Sequence, residues 1–415
     1  MGTAPDHADL RPSGEHRGRS RRRWPWAWPA VLIIVFSVLA GDPAAAGPAP
    51  ARPTGGATSA QTVDATAKGS AAGVSPAATA TGTVSATASV TDKWQPIVTH
   101  HRRRRIPDQI FSFAVIPDTQ REVHAASDTR FKERTQWLVD QRRDLDLRYV
   151  THSGDVVDWD TPDHAQTAMA SDALLPLETA GIPYSLTIGN HDTQATGEGG
   201  SARDPSRTKE LQRDTSVFNS YFTAARYGAV RGAFESGKVD NIYSTFDAGG
   251  VRWLVLNLEL WPRPDAVSWA GQVVAAHPRH NVIVVTHSYL NASFNISTRS
   301  DYGDTSPQYV FDHLVKLYPN IKMIFSGHVN HVGQRTDVGV HGNKIVSYLQ
   351  GLETWTTNPV RLVEIDTAAG TIATRLYAPR DGQTYPPFAN RQSGMTWVRP
   401  TDGKADSAQN PSPRR

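Results

Sequence analysis

Five short polar blocks lie in the middle of the chain, and each follows directly on a run of apolar residues. They are Asp118-Thr119-Gln120, Gly154-Asp155-Val156-Val157-Asp158, Gly189-Asn190-His191-Asp192, His287 and Gly327-His328-Val329-Asn330. Carboxylate, amide oxygen and imidazole groups are the ligands of Mn, Fe, Zn or Ca ions in proteins. A single aspartate after a strand is more often a turn residue, but five blocks in succession favour a metal site.

The apolar runs before these blocks predict buried strands, because they are short and almost continuously apolar. The predicted strands cover 111–117, 148–152, 184–188, 252–258, 281–286 and 321–325, and predicted helices lie near 128–141, 163–180, 207–224 and 307–318. Ligands bind beyond the carboxyl ends of strands in open α/β sheets, so the blocks should meet in one crevice. Residues 344–349, 360–366 and 371–377 predict an antiparallel meander added at the end of this α/β domain.

The order of the blocks resembles that of the calcineurin-like metallophosphoesterases, whose motifs are D-x-[HQ], G-D-x-x-D, G-N-H-[DE], a lone His after a strand and G-H-x-H. The chain has DTQ at 118–120, GDVVD at 154–158, GNHD at 189–192, THS at 286–288 and GHVN at 327–330, so the resemblance covers about 110–335. It implies an α/β fold, a four-layer α/β/β/α sandwich with mixed sheets. It also implies hydrolysis of phosphate esters.

The resemblance assigns the metal ligands residue by residue. Two ions are expected, with Asp155 bridging both, Asp118 and Gln120 on the first, and Asn190, His287 and His328 on the second. Two ions about 3.5–4 Å apart clamp a phosphoryl group, and a metal-bound hydroxide then attacks phosphorus.

Two catalytic side chains follow from the same resemblance. His191 matches the histidine that protonates or stabilises the leaving oxygen, and Asp158 matches the carboxylate that orients it. Whether the substrate is a monoester or a diester stays open.

Two positions depart from the commonest family pattern. Gln120 stands where many members have His, and its amide oxygen shifts the metal preference from Zn towards Mn, Fe or Ca. The second His of G-H-x-H is replaced by Asn330, and His331 follows one residue later. Residue counting favours Asn330 as the ligand, with His331 as the alternative; either predicts a first ion that is bound more loosely than usual. Mn or Fe are the favoured ions, before Ca or Zn.

Residues 1–46 have the order typical of a secretory signal, namely an Arg-rich stretch, the 12-residue apolar run at 30–41 and Ala44-Ala45-Ala46. We therefore expect export, as a secreted or cell-surface protein, with cleavage near Ala46. A retained membrane anchor is the less favoured alternative, because a spanning helix needs about 20 apolar residues; only this alternative implies membrane contact. The Arg pair leaves Sec and twin-arginine export open.

Composition bounds the rest of the chain. Residues 47–105 predict a disordered Ala/Thr/Pro-rich linker with a basic run, 106–380 the metallophosphoesterase domain, and 381–415 a largely flexible tail. The absence of cysteine excludes disulfides, thiolate ligands and a Cys nucleophile. The formal net charge of +3 falls to about +1 without residues 1–46, which hold six Arg and four acidic residues. This nearly neutral body gives no electrostatic argument for nucleic acid as a partner, and no protein partner is inferred.

Two other functions are alternatives to phosphoesterase activity. A non-catalytic metal- or phosphate-binding module that retains the fold is favoured by Gln120 and Asn330 and disfavoured by the intact His191 and Asp158. A nuclease-like phosphodiesterase is disfavoured by the nearly neutral charge. The Gly-rich segment 193–207 after GNHD is either a substrate-facing loop or a solvated insertion, and His124 is expected on the surface.

Overall fold

The computed structural model describes residues 109–400. The predicted signal segment, the linker with its basic run and the last fifteen residues of the predicted tail lie outside the described residues. Across 109–400, every helix is too short or too polar to traverse a lipid bilayer.

The described residues form seven α-helices, four short 3-10 helices and fourteen strands. The α-helices are α1 Arg130–Asp140, α2 Ala165–Thr179, α3 Thr208–Leu211, α4 Ser216–Tyr221, α5 Ala224–Tyr227, α6 Pro264–Ala276 and α7 Pro307–His313. The 3-10 helices are Gln120–Glu122, Glu198–Gly200, Val315–Leu317 and Pro386–Phe388. The strands are β1 Ile110–Ile116, β2 Leu147–His152, β3 Tyr184–Leu186, β4 Val230–Ala233, β5 Ile242–Ala248, β6 Val251–Leu258, β7 His280–Thr286, β8 Ile321–Ser326, β9 Val332–Val338, β10 Lys344–Gln350, β11 Val360–Asp366, β12 Thr371–Ala378, β13 Gln383–Thr384 and β14 Asn390–Gln392.

The strands form two mixed sheets. The first has the order β13-β12-β11-β1-β2-β3, with β14 also paired to β12, and the second has the order β4-β5-β6-β7-β8-β10-β9. Strands β1, β2 and β3 run parallel in the first sheet, as do β6, β7, β8 and β10 in the second. The predicted α/β class with mixed sheets is thereby confirmed.

Three cores separate four layers. Helices α1 and α2 pack on the outer face of the first sheet, and α6 and α7 pack on the outer face of the second. The third core lies between the sheets. In β1, Phe111, Phe113 and Val115 face this inner core, while Ala114 and Ile116 face the helices. Because side chains alternate along a strand and both faces are covered, the strand sequences are almost continuously apolar.

The ordered chain continues past residue 380, where the sequence placed the end of the domain. Strands β13 and β14 pair with β12, and Met395 and Trp397 join the core between the sheets. The ring of Trp397 lies 5.3 Å from that of Trp253. The predicted flexible tail therefore begins too early, because residues 381–400 are polar on average but carry two side chains that fill the inner core.

The predicted three-stranded meander is wrong in its pairing. Strand β10 belongs to the second sheet, parallel to β8 and antiparallel to β9, and only β11 and β12 form the expected antiparallel pair. The chain crosses from one sheet to the other between β10 and β11. The predicted helix at 207–224 is also divided into α3, α4 and the start of α5, and α6, β4, β5 and β9 were not predicted.

Candidate metal centre

Three side chains converge at the carboxyl ends of the central strands. Single ligand atoms of Asp155, His287 and His328 all lie within 4.8 Å of one another. His287 Nε2 lies 2.9 Å from Asp155 Oδ2. A carboxylate and two imidazoles this close together could hold one metal ion.

The tautomer of His287 is fixed by the backbone. Its Nδ1–H donates to the carbonyl oxygen of Ser153 at 2.9 Å, which leaves the Nε2 lone pair directed towards Asp155. His287 is fully buried, and its Nε2 has no hydrogen-bond partner among the described residues. Metal-binding histidines are oriented in this way by a carbonyl on the other ring nitrogen, so the residues fit a metal ion.

The backbone around these ligands is strained. Asp155 and His328 have φ angles of 53° and 70°, in the left-handed region that side chains disfavour. A Cβ on Gly154 would lie 2.5 Å from His287 Nδ1, so only glycine permits this approach. Such strain is concentrated at functional sites, where the surrounding fold enforces it.

Three more of the predicted ligands lie around this group. Asp118 is buried, and its Oδ2 accepts from the backbone N–H of His328 at 2.9 Å. Gln120 donates from Nε2 to Asp155 Oδ2 at 3.4 Å, while its buried Oε1 has no hydrogen-bond partner within residues 109–400. Asn190 Oδ1 lies 3.1 Å from His328 Nδ1. The structure thus brings together Asp118, Gln120, Asp155, Asn190, His287 and His328.

The electrostatics of the group also suit a cation. Burial, together with the charges of Asp155 and Glu353, raises the pKa of Asp118 to about 8 against the opposing effect of His287. Carboxylates so close together in a dry interior repel one another unless a positive charge lies between them. The closely spaced carboxylates, the unpaired oxygen of Gln120 and the unpaired nitrogen of His287 are together suited to bind a divalent ion.

Asn330 and His331 do not join the group. Both are exposed, and the Asn330 amide nitrogen donates to Thr354 Oγ1 at 2.8 Å. The turn after His328 carries both side chains outward. The structure therefore supports neither residue as the ligand that replaces the second histidine of the motif.

His191 and Asp158 form a pair at the edge of the group. The Nδ1–H of His191 donates to the backbone oxygen of Asp158 at 2.6 Å and lies 3.0 Å from its Oδ1. His191 Nε2 lies 4.0 Å from Asp155 Oδ2. Burial disfavours the charged imidazole, but Asp155 and Asp158 outweigh it and raise the pKa of His191 to about 9. In the metal-free protein these carboxylates therefore favour the protonated ring.

Three side chains at the site were missed from the sequence. His124 is exposed, as expected, but its Nε2 lies 2.7 Å from Asp158 Oδ2, and Arg121 Nη1 lies 3.4 Å from the same oxygen. Trp261 packs its ring 5.3 Å from that of His328. Arg121 and His124 follow DTQ closely in the sequence, and this nearness could have identified them as site residues. Nothing in the sequence around Trp261 indicates a place at the site.

The Gly-rich segment after GNHD lies against the site. A Cβ on Gly200 would be 3.0 Å from His191 Cε1, so the 3-10 helix Glu198–Gly200 touches the ring. A cleft of about 500 Å³ lies beside it, lined by Trp159, Asp160, Thr161, Glu198 and Arg203 among others. Of the two interpretations of this segment, contact with the site is the one that the structure supports.

A family model and a curated relative match part of the chain. The family model described as calcineurin-like phosphoesterase matches residues 111–331, slightly more than half of the chain. An uncharacterized protein of Bacillus subtilis (strain 168), YvnB, is 28% identical over 231 residues, which cover 55% of this chain and 16% of that protein. The chain thus spans about a sixth of the length of this curated relative.

Two solved structures are similar in part. A purple acid phosphatase from yellow lupin (Lupinus luteus) seeds has a TM-score of 0.47 and 13% identity, over 69% of this chain and 54% of that one. A dimetal phosphatase from Danio rerio has a TM-score of 0.41 and 16% identity, over 66% of this chain and 97% of that one. By the match to the family model, the chain belongs to the calcineurin-like phosphoesterases.

Proposed function

We propose that the chain hydrolyses phosphate esters with two metal ions and that His191 assists departure of the leaving group. The observation that carries this proposal is the position of His191. Its ring is held by Asp158 on one side and faces the shared carboxylate of Asp155 on the other. A module that only binds a metal has no use for a charged imidazole fixed in this place.

The ligands divide between two ions. Asp155 would bridge them, with Asp118 and Gln120 on the first ion and Asn190, His287 and His328 on the second. When bound, the ions would neutralise charge on the phosphoryl oxygens and make a water molecule more acidic. The first ion has oxygen ligands from this set, which favours Mn or Fe over Zn.

The proton for the leaving oxygen comes from one identifiable atom. His191 Nδ1–H is committed to the backbone oxygen of Asp158, so Nε2, which faces the metal ligands, is the atom free to donate. The carboxylate of Asp158 stabilises the imidazolium before the proton leaves and orients the ring during transfer. His124 and Arg121 hold this carboxylate in turn through Oδ2.

The dependence of rate on the leaving group tests this role. We expect His191→Ala to slow hydrolysis of an alkyl phosphate by about 10²- to 10⁴-fold. We expect a much smaller loss with a p-nitrophenyl ester, whose leaving oxygen needs no proton. Equal losses on both esters would show that His191 does not act as the acid.

Controls separate this test from loss of the metals. Asp155→Ala should abolish turnover of both esters and lower the bound metal content, whereas His191→Ala should retain its metals. A panel of monoesters and diesters measured with Mn²⁺ would also define the substrate class. If the wild type turns over no ester with any divalent ion, the non-catalytic binding module is the better account.

We further propose that the chain is exported. Support comes from the order of charged, apolar and small residues within 1–46. Cell fractionation with N-terminal sequencing should find mature protein outside the cytoplasm that begins close to residue 47. Retention of the intact N-terminus in the soluble cell interior would contradict export, and retention in the membrane fraction would favour an anchor.

A further inference from the structure

We propose that Glu353 is a ligand of the first metal ion, in the place that the sequence leaves without a histidine. This inference rests on the two-metal function proposed above. It concerns a residue outside the stretch 111–331 that the family model matches.

The segment that carries Glu353 packs on the turn after His328. The backbone N–H of Gly351 donates to the carbonyl oxygen of His331 at 3.1 Å. A Cβ on Gly351 would lie 2.0 Å from the carbonyl oxygen of Val329, so the two backbones are in direct contact. Residues 351–354 are thereby held beside the turn that in this family supplies the last ligand.

One carboxylate oxygen of Glu353, Oε2, is buried without a hydrogen-bond partner among the described residues. A buried carboxylate oxygen without a partner destabilises the folded protein unless a cation or a donor satisfies it. The residue therefore has the same unpaired character as Gln120 Oε1 and His287 Nε2 in the metal group.

The charge of Glu353 also interacts with those of the proposed ligands. The charge of Glu353 contributes to the raised pKa of Asp118. Burial raises the pKa of Glu353 itself, and Asp155 raises it further. The negative charges of Asp155 and Glu353 thus disfavour ionisation of Asp118, and a divalent cation bound between these carboxylates would offset that repulsion.

Asn330 has a different task in this account. Its amide nitrogen donates to Thr354, the residue next to Glu353, so it ties the turn to the segment that bears the carboxylate. Asn330 is thus a positioning residue, and Glu353 supplies the oxygen. With Asp118, Gln120 and Asp155, Glu353 completes a first site of four oxygen-donor residues, which prefers Mn, Fe or Ca to Zn.

Metal binding measures this directly, apart from activity. The variant is Glu353→Ala, and the matched control is Glu364→Ala, which removes a half-buried glutamate on β11. Metal-free protein is titrated with Mn²⁺ by calorimetry. We expect two ions for the wild type and the control, and at least about tenfold weaker binding of one ion in Glu353→Ala.

Thermal unfolding supplies a second readout. In EDTA, Glu353→Ala should be at least as stable as the wild type, because it relieves repulsion among buried carboxylates. In Mn²⁺ it should gain less stability than the wild type does. If Glu353→Ala proves unfolded by circular dichroism, Glu353→Gln replaces it in the Mn²⁺ titration, because glutamine has nearly the same size as glutamate. This variant should still bind one ion several-fold more weakly than the wild type.

The outcomes distinguish the two proposals. If the wild type binds only one ion, the two-metal function fails whatever Glu353 does. If the wild type binds two ions and Glu353→Ala binds both with unchanged affinity, the assignment of Glu353 is overturned while the two-metal function stands.

Discussion

A single methyl group at Gly327 tests the placement of the first ligand. A Cβ at this position would lie 1.9 Å from Asp118 Oδ1 and 2.8 Å from its carboxyl carbon. Gly327 is absent from the described residues with positive φ, so its backbone accepts alanine without strain. In Gly327→Ala the Asp118 carboxylate must therefore turn away while the fold is kept.

The magnitude follows from the contacts that this movement breaks. Asp118 loses the hydrogen bond to Oδ2 from the backbone N–H of His328 and the weaker one to Oδ1 from Ser153 Oγ. A hydrogen bond to a charged group contributes about 1.5–3 kcal/mol, and about 1.4 kcal/mol corresponds to a factor of ten in affinity. We expect the first Mn²⁺ ion to bind about 10- to 100-fold more weakly, and turnover at low metal concentration to fall with it.

The assay is titration of metal-free protein with Mn²⁺, with turnover of a phosphate ester measured over the same range. Gly197→Ala is the control, because this loop glycine has a φ of −109° and its Cβ would lie 3.3 Å from the nearest atom. Unchanged Mn²⁺ affinity in a folded Gly327→Ala protein would refute the argument that Asp118 holds the first ion.

Three further predictions concern other parts of the molecule. Burial lowers the pKa of Lys322 from 10.5 to about 8, so its destabilising effect is fully present below pH 8 and is lost as the pH rises towards 10.5. Lys322→Met should therefore raise the free energy of unfolding by about 1–3 kcal/mol at pH 7 and by less at pH 10; equal gains in urea denaturation at both pH values would contradict this. Arg134 is fully buried and bonds both carboxylate oxygens of Glu122. Arg134→Met should cost about 3–5 kcal/mol by leaving that charge unpaired, and adding Glu122→Gln should recover part of the loss, whereas a double variant no more stable than the single one would refute the explanation. Gly200→Ala places a Cβ 3.0 Å from His191 Cε1 at a φ of 80°. Displacement of the His191 ring should lower kcat by about 10- to 100-fold while Mn²⁺ affinity is unchanged. Weaker Mn²⁺ binding with a normal kcat in excess metal would contradict this explanation.

Much of the site was predictable from the sequence because its ligands follow buried strands. Asp118, Asp155 and His287 come just after β1, β2 and β7, whose apolar sequences mark them clearly. The carboxyl ends of parallel strands meet at the same edge of a sheet, so residues far apart in sequence were correctly expected to converge.

The pairing of β10 was not predictable in the same way. Its alternation of side chains identifies a strand, but the choice of partner depends on the packing of its buried residues. Val346 and Tyr348 fill the core between the sheets from the side of the second sheet. The alternation of side chains along one strand does not show to which sheet the strand belongs. The predicted meander therefore paired β10 with the wrong strands.

Loop residues of the site were equally hidden. Glu353 stands more than twenty residues after GHVN, and only the backbone contact between Gly351 and the turn at Val329 brings it to the ligands. Asn330 has the right spacing for a ligand but is turned outward to Thr354. Spacing within a motif predicts a ligand only where the following turn has the same backbone conformation as in other family members.

Crystals grown with Mn²⁺ and measured at the manganese absorption edge would test the central claim most directly. We predict two anomalous peaks about 3.5–4 Å apart, with the carboxylate of Asp155 touching both and His287 touching the second. A single peak, or two peaks that do not share Asp155, would contradict the two-metal account.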